Sequence, residues 1–222
     1  MNIILMGFGK MGKKISQLAR NKGYIVGGFS SSSNPISNLD LRNVDVAIDF
    51  STPETAFNNV KYALDNNIPV ISGTTGWNNK LEKIKKICIE KNGAMLHSAN
   101  FSIGMNIIFE ANKKISCLIK NFNYKIKISE THHLQKKDMP SGSAIQLAND
   151  IKKNYNQNIP IDSKRIQNIV GDHSICYKSN EDILEIKHSA ISRDGFALGA
   201  LTAAEWIIGK KGVYSMQDVI KF

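Results

Sequence analysis

The fold is decided near the start of the chain by the stretch Ile3-Ile-Leu-Met-Gly-Phe-Gly-Lys-Met-Gly12. Its short apolar run predicts a buried strand, and the glycines that follow at once predict a tight turn into a helix. In this context a G-x-G-x-x-G turn is typical of dinucleotide binding: Gly7 permits the turn, Gly9 lets a pyrophosphate approach the backbone, and Gly12 allows close helix packing. The helix N-terminus adds amide donors and a positive dipole end. The alternative is a glycine-rich turn without a ligand, which the position at the start of a βαβ pattern disfavours.

Outward from this turn, short apolar runs alternate with amphipathic stretches as far as Phe101. This is the pattern of repeated βαβ units around a parallel sheet. In the first helix, Met11, Ile15 and Leu18 fall on one apolar face. We predict strands over Ile3–Met6, Tyr24–Phe29, Val44–Phe50, Pro69–Ser72 and Ala94–His97.

The alternation of apolar runs and amphipathic stretches changes after Phe101, and this change predicts a second kind of domain. A helix near Gly104–Lys120 precedes an alternating run, Tyr124–His133, that is typical of a half-buried strand. Ser141 is predicted to cap a helix that runs to about Lys153, followed by a loop over Asn154–Ser163, which Pro160 interrupts. Further strands of an antiparallel or mixed sheet are predicted over Arg165–Val170, Ser174–Lys178 and Ile183–Ser189.

The segment Phe196–Ile208 is apolar on nearly every face, so we expect a buried helix that ends at Gly209 and packs back on the first domain. The expected fold class is α/β, with a Rossmann-like parallel-sheet domain plus a smaller α+β domain with a mixed sheet. We expect a dinucleotide-binding domain over residues 1–101, completed by 194–222. Residues 102–193 would form the domain for substrate binding and oligomerisation.

Composition narrows the class of protein. The 222 residues carry a formal net charge of +10 and 42% apolar residues, which excludes disordered and fibrous classes. The basic residues are 25 Lys and 4 Arg; because phosphate and base-edge contacts favour Arg, this balance indicates a solvated surface and no nucleic-acid partner. Cys88, Cys117 and Cys176 are widely spaced, which indicates no disulfide framework and fits a reducing cytoplasm. No stretch approaches the roughly 20 apolar residues of a membrane helix, and no signal sequence is evident, so we expect a soluble protein with no membrane partner.

Three loops at predicted strand ends bear on the choice of cofactor. A site that prefers NAD usually has Asp or Glu at the end of the second strand, to bind the ribose 2′-hydroxyl. Here the chain reads Gly28-Phe-Ser-Ser-Ser-Ser33, which accepts NADPH or NADH, or else is a plain loop. Gly73-Thr-Thr-Gly76 and Ser98-Ala-Asn-Phe101 follow two further strands. Their hydroxyl and amide groups could hydrogen-bond a nicotinamide or ribose, although ordinary turns have a similar composition.

The sharpest chemical signal is the segment Glu130-Thr-His-His-Leu-Gln-Lys-Lys-Asp-Met-Pro-Ser-Gly-Ser143. Adjacent histidines point to opposite faces of a strand, and no Cys or carboxylate at metal-ligand spacing completes a site, so we predict no metal. A histidine at the strand end and a lysine in the following loop could supply a proton near neutral pH and a fixed positive charge. The helix that begins at Ser141-Gly142-Ser143 suits an anionic group such as a carboxylate.

These residues resemble the dihydrodipicolinate reductase family of the diaminopimelate and lysine pathway. The resemblance covers nearly the whole chain, and its most specific motif is E-x-H-H-x-x-K-x-D-x-P-S-G, from Glu130 to Gly142. It also includes the glycine turn, the loops at Gly73 and Ser98, the segment Asp49-Phe-Ser-Thr-Pro-Glu54 and the C-terminal helix with Trp206.

The resemblance implies an NAD(P)H-dependent reductase of a cyclic, imine-containing dicarboxylate, 4-hydroxy-tetrahydrodipicolinate. Hydride would reach ring carbon C4 as the 4-hydroxyl leaves as water, and a homotetramer would form through the mixed sheet. His132 would donate the proton and Lys136 would assist it. The substrate carboxylates would be contacted by His133, Ser141, Gly142 and Ser143. The cofactor would be lined by Gly7, Phe8, Gly9, Lys10, Met11, Gly12, Gly73, Thr74, Thr75, Ser98, Ala99, Asn100 and Phe101.

Two alternatives stay open beside this interpretation. One is another two-domain NAD(P)-dependent dehydrogenase of amino-acid metabolism. The other is a nucleotide-sensing or nucleic-acid-binding module, which needs a clustered basic face, whereas the lysines are scattered over several predicted helices. The chain also departs from the family in a shorter phosphate loop, in the serines after the second strand, and in a shortened stretch between Asn154 and Glu185.

Overall fold

The computed structural model describes residues 1–155 and 157–221, which divide into two compact units. One unit is Met1–Ile103 together with the segment that begins at Asp194; the other is Gly104–Arg193. The strands are β1 (Asn2–Met6), β2 (Ile25–Ser30), β3 (Val46–Asp49), β4 (Val70–Ser72), β5 (Ala94–His97), β6 (Lys125–His132), β7 (Ile161–Arg165), β8 (Gly171–Lys178), β9 (Ile183–Ala190) and β10 (Gly212–Tyr214). The α-helices are α1 (Lys10–Asn21), α2 (Pro53–Asp65), α3 (Leu81–Glu90), α4 (Ile103–Ile119), α5 (Gly142–Lys152), α6 (Asp194–Ile207) and α7 (Met216–Ile220).

The first unit is built on a six-stranded sheet in the order β10-β5-β4-β3-β1-β2, in which every neighbouring pair is parallel. Side chains alternate across the central strand β1: Ile3 and Leu5 pack with α1 and α6 on one face, while Ile4 and Met6 pack with α2 and α3 on the other. A sheet buried on both faces needs continuous apolar strands, which explains the uninterrupted run at the start of the chain. The predicted Rossmann-like fold is confirmed.

The second unit is built on a four-stranded sheet in the order β7-β6-β8-β9. The β6–β7 pair is parallel and the other two pairs are antiparallel, so the predicted mixed sheet is confirmed. Alternation along β6 sends Ile126 and Ile128 into a core with α4 and α5. The same alternation buries Glu130 and His132 farther along the strand, so one face of the sheet changes from apolar to polar toward the end of β6.

The predicted strand over Arg165–Val170 was wrong, because the strand is β7 (Ile161–Arg165) and lies mostly within the predicted loop. Pro160 stands just before the strand, where its carbonyl still accepts a hydrogen bond from the Ile128 amide, so it does not interrupt the pairing. Asn168 has a φ of 65°, a left-handed conformation that ends the extended run. Strand β8 also begins earlier than predicted, at Gly171.

No helix or strand was predicted after Gly209, but two further elements follow. Gly209 has a φ of 77° and ends α6 as expected. The chain then adds β10 to the edge of the first sheet beside β5, and Ser215 and Asp218 form a capping box that starts α7. Short elements with few apolar residues have weak periodicity, which is why the pattern did not reveal them. Among residues 1–155 and 157–221, no helix has both the length and the apolar character needed to span a bilayer.

Candidate functional site

The glycine turn after β1 forms a cradle at the start of α1. Gly7 has a φ of 96°, and a Cβ there would lie 2.3 Å from the carbonyl oxygen of Phe50. A Cβ on Gly12 would lie 2.2 Å from the carbonyl oxygen of Gly7. Gly9 differs, because it caps the helix and a Cβ there would meet no atom within 4 Å. Two glycines therefore pack the turn tightly, and the third leaves open space at a helix N-terminus that fits a pyrophosphate.

The loop after β2 lies beside this cradle. The rings of Phe8 and Phe29 stack with centroids 3.8 Å apart. Ser31 and Asn34 close a small turn through a 2.8 Å hydrogen bond from the Ser31 amide to the Asn34 carbonyl, and the hydroxyl oxygens of Ser31 and Ser33 are 3.1 Å apart. The turn presents hydroxyls where a carboxylate would select for NAD, which is consistent with either reduced cofactor.

The loops after β4 and β5 reach the same edge of the sheet, because parallel strands end together. Some of their side chains are not free to contact a cofactor. The Thr74 hydroxyl is buried and donates to Asp49 at 2.8 Å, and Phe101 is in the core. The Ser98 hydroxyl donates to the carbonyl of Asn100 at 2.8 Å. Thr75 and Ala99 are exposed. The predicted cofactor residues thus lie at one edge, and several of them offer backbone rather than side-chain groups.

In the second unit, Glu130 is the centre of a buried polar cluster. One carboxylate oxygen accepts a hydrogen bond from Nδ1 of His132, two residues along the same face of β6. The other accepts both terminal nitrogens of Arg165, each at 3.0 Å, and the Ser141 amide at 3.3 Å. Glu130 is 1% exposed and His132 is 8% exposed. An ionised carboxylate is tolerated there because a guanidinium and several donors compensate its lost hydration.

The rings of His132 and His173 lie edge to face at 5.0 Å between centroids. His173 comes from β8, directly opposite Glu130 in the strand pairing, and its Nε2 is 3.1 Å from the Ser141 hydroxyl. On the far side of His132, a Cβ on Gly171 would lie 3.0 Å from Nε2. A side chain at this position would therefore crowd that nitrogen.

The pKa values of this cluster follow from burial and charge. Burial lowers the pKa of His132, although the Glu130 carboxylate opposes the shift. Burial and the positive neighbours lower the pKa of His173 to about 4. Burial alone would raise the pKa of Glu130, but its hydrogen bonds, including those from Arg165 and His132, outweigh burial and lower it. At neutral pH the cluster therefore holds an ionised carboxylate, a guanidinium and histidines that give up protons readily.

The sequence spacing predicted no set of metal-ligand residues around the histidines, but the fold brings three such residues together. Possible ligand atoms of Glu130, His132 and His173 lie within 4.8 Å of one another, because β8 brings in a histidine that is distant in sequence. Arg165 and the His132 ring already engage the Glu130 carboxylate, so the arrangement functions as a hydrogen-bonded network. The absence of a metal stays a prediction.

Lys136 lies in the loop after β6, where its ammonium nitrogen contacts both carboxylate oxygens of Asp138 at 2.7 and 2.9 Å. The same carboxylate accepts the backbone amide of Gly142 at 3.3 Å. Ser141 caps α5, as predicted, through a 3.3 Å bond from the Ala144 amide. The side chain of Asp138 thus occupies the groups that were predicted to bind a carboxylate of the substrate.

His133 directly follows the last residue of β6 and is less buried than His132. Its Nε2 is 3.3 Å from a terminal nitrogen of Arg193. Both side chains line a cavity of about 440 Å³ together with Leu134, Gln135 and the loop of residues 167–170. Arg193 therefore gives one wall of this cavity a permanent positive charge.

Four residues near the predicted site had no role predicted from the sequence: Glu130, Arg165, His173 and Arg193. The spacing of Glu130 and His132 was a usable signal, because residues two apart share a face of a strand. Arg165 and His173 are distant in sequence and reach the Glu130 cluster through strand pairing, which periodicity does not predict. Arg193 is distant in sequence from His133, its partner in the cavity.

The parallel sheet with its glycine cradle is typical of a dinucleotide-binding fold, and the buried histidine–carboxylate pair beside the start of α5 is typical of an acid–base site. Together they indicate an NAD(P)H-dependent oxidoreductase. The family profile described as dihydrodipicolinate reductase, N-terminus, matches residues 1–101, and that described as dihydrodipicolinate reductase, C-terminus, matches residues 104–220. The chain belongs to the dihydrodipicolinate reductase family.

Relatives and solved structures agree with this assignment. A 4-hydroxy-tetrahydrodipicolinate reductase of Christiangramia forsetii is 40% identical over 235 residues, covering 99% of this chain and 98% of the relative. One of Clostridium novyi is 40% identical over 250 residues with the same coverage. Dipicolinate-bound dihydrodipicolinate reductase from Paenisporosarcina sp. TG-14 shares the fold with a TM-score of 0.79 at 20% identity, covering 99% of each chain.

Proposed function

We propose that this protein reduces 4-hydroxy-tetrahydrodipicolinate to tetrahydrodipicolinate with NADPH or NADH, in diaminopimelate and lysine biosynthesis. The observation that carries the proposal is the position of His132, with Nδ1 on Glu130 and Nε2 in the space that Gly171 leaves. Full-length similarity to reductases of that name supports the choice of reaction.

The residues for the cofactor are those at the carboxyl ends of the parallel strands. The open space at Gly9 and the N-terminus of α1 fit the pyrophosphate, and the exposed backbone at Thr75 and Ala99 fits the nicotinamide half. When bound, the reduced nicotinamide supplies the hydride. The first unit would therefore be the dinucleotide-binding domain.

In the proposed mechanism His132 delivers the proton from Nε2 to the ring position next to the C4 carbon that receives the hydride. The hydrogen bond from Nδ1 to Glu130 fixes the ring orientation and stabilises the protonated ring, while burial favours its deprotonation. Burial is the larger of the two influences, so the protonated ring gives up its proton more readily than an ordinary histidine, as a proton donor requires. Arg165 keeps Glu130 ionised by pairing with its other oxygen.

The substrate is a dicarboxylate, and the second unit offers cationic and amide donors for two carboxylates. We assign one carboxylate to Lys136 and the amides of Gly142 and Ser143, where it would replace the side chain of Asp138. We assign the other to the wall that His133 and Arg193 form. The dipicolinate bound to the Paenisporosarcina protein is also a dicarboxylate, which supports a dicarboxylate as the class of substrate.

Two further parts of the proposal concern the setting of the enzyme. We propose a homotetramer assembled through the mixed sheet of the second unit, which light scattering on the purified protein tests. We also propose a cytoplasmic location, in keeping with three cysteines that are all free; fractionation of cells tests it.

The decisive experiment measures oxidation of NADPH and NADH by the purified protein with freshly generated 4-hydroxy-tetrahydrodipicolinate. We expect turnover with at least one cofactor, competitive inhibition by dipicolinate, and no turnover with aspartate semialdehyde or amino acids. Turnover with those compounds alone would assign the protein to another dehydrogenase activity.

A further inference from the structure

One buried carboxylate has no part in the proposed mechanism. Asp49 ends β3 at the centre of the six-stranded sheet and is 0% exposed. Its oxygens accept four hydrogen bonds, from the hydroxyls of Ser51 at 2.6 Å, Ser72 at 2.7 Å and Thr74 at 2.8 Å, and from the Asn59 amide at 3.4 Å. All four donors are neutral. Burial without a cation is costly for a carboxylate, and it raises the pKa of Asp49.

Two of the four donors to Asp49 belong to different loops at the edge where the cofactor residues lie. Ser51 is in the loop after β3 and Thr74 is in the loop after β4. The two loops are also joined directly, because the Thr74 hydroxyl accepts the Ser51 amide at 2.9 Å. The Thr74 side chain is thus fixed between a carboxylate and a backbone amide.

The fixed loops support the surfaces assigned to the cofactor. The Thr74 carbonyl accepts the Trp77 indole at 2.8 Å and lies 3.3 Å from His97 Nε2, so the residues around Thr74 and Thr75 are held from two sides. A Cβ on Gly73 would lie 2.3 Å from the Phe50 ring, and one on Gly7 would lie 2.3 Å from the Phe50 carbonyl oxygen. A shift in the loop after β3 would therefore reach both the glycine turn and the loop after β4.

We propose that Asp49 is a positioning residue for the reduced cofactor, acting through Ser51 and Thr74 to hold the loops after β1, β3 and β4 in their binding geometry. This inference rests on the proposed function only in naming NAD(P)H as the ligand. Since tightly packed loops leave little freedom, small displacements at Asp49 change cofactor affinity more than they change turnover at saturating cofactor.

The test is Asp49→Asn, which keeps the side-chain shape but removes the charge and half of the acceptor capacity. We expect the Kd for NADPH or NADH, measured by fluorescence titration without substrate, to rise about tenfold or more. The kcat at saturating cofactor should change by less than about twofold. As a matched control, Asn59→Ala removes the longest of the four hydrogen bonds, from α2 rather than from a loop, and should leave the cofactor Kd unchanged.

A second pair of variants keeps the proposal testable if Asp49→Asn does not fold. Thr74→Val keeps the shape but loses the bridging hydroxyl, and should raise the cofactor Kd, whereas Thr74→Ser keeps the hydroxyl and should not. Unchanged Kd values in Asp49→Asn and Thr74→Val, with a lower Tm in either, would reduce Asp49 to a structural role and overturn the proposal. If the wild type binds NAD(P)H but does not reduce the dicarboxylate, the proposed function fails while the role of Asp49 is still decided by these Kd values.

Discussion

A strand-end histidine becomes an acid–base group when its two ring nitrogens have different surroundings. In His132, Nδ1 contacts the Glu130 carboxylate, whereas Nε2 faces the position of Gly171, where a side chain would block it. Its neighbour His133 has a different partner, Arg193. The two neighbouring histidines therefore have different partners, in keeping with the separate roles proposed for them.

Replacing His132 tests the proton-donor role. We expect His132→Gln to lower kcat by roughly 10² to 10⁴, the usual contribution of a general acid, with the Kd for NADPH nearly unchanged. Steady-state kinetics and fluorescence titration measure the two effects. His133→Gln is the matched control and should mainly raise the KM for the dicarboxylate. Loss of cofactor binding in His132→Gln would indicate a structural residue instead.

Replacing Lys136 tests its proposed contact with the substrate. Its ammonium group pairs with Asp138, and in the proposed reaction a carboxylate of the substrate takes the place of Asp138. Lys136→Ala should therefore raise the KM for the dicarboxylate and lower kcat together. Initial rates at varied substrate measure both constants, and a variant with normal kinetics would remove Lys136 from the site.

Only part of the residue-level site was predictable. The shared face of Glu130 and His132 follows from the geometry of any strand, and the capping role of Ser141 follows from its place before an apolar helix. The contacts of Arg165 and His173 with the cluster depend on the register of β7 and β8 against β6. No local pattern encodes that register.

At the scale of elements, periodicity was informative where strands are buried on both faces. The predicted strands of the first unit lie within two residues of the observed ones, because continuous apolar runs and glycine turns are strong local signals. Periodicity failed at β7 (Ile161–Arg165), in which no residue is fully buried. A strand with mixed side chains is defined by its partner, so its position could not be predicted from its own residues.

The glycine turn and α1 give a prediction at this scale. We expect Gly12→Ala to disrupt the turn, because its Cβ would lie 2.2 Å from the Gly7 carbonyl oxygen, and to lower the Tm. Gly9→Ala should keep a nearly normal Tm, because a Cβ there meets open space, but should raise the Kd for NAD(P)H. Thermal unfolding and cofactor titration of the two variants measure the contrast. Equal cofactor affinity in Gly9→Ala and the wild type would show that the pyrophosphate does not approach Gly9.

For the whole molecule, histidine burial links stability to pH. Burial is the first cause of a lowered pKa in four of the five histidines, namely His97, His132, His173 and His188. In the unfolded chain these groups bind protons near pH 6.5, whereas folded His173 binds one only near pH 4. Between these values the unfolded state holds more protons, so the free energy of unfolding rises with pH and falls on acidification.

Urea unfolding across this pH range, followed by circular dichroism, measures the effect. His173 alone should contribute up to roughly 3 kcal/mol between the two limits, and His173→Gln should remove that share of the pH dependence. Identical pH dependence in the variant and the wild type would contradict the assignment of a buried, neutral His173.

The first unit is discontinuous in sequence, and this has a consequence for synthesis on the ribosome. Strands β1 to β5 emerge early. The apolar surface formed by Ile48, Ile71 and Leu96 is covered by α6, through Ala200, Leu201 and Ala204. Strand β10, which pairs with β5, emerges later still. While residues 104–193 are being translated, that surface has no permanent cover in the nascent chain. Chaperones that recognise exposed apolar segments should therefore engage this protein during that interval, and release it once the last helices have emerged.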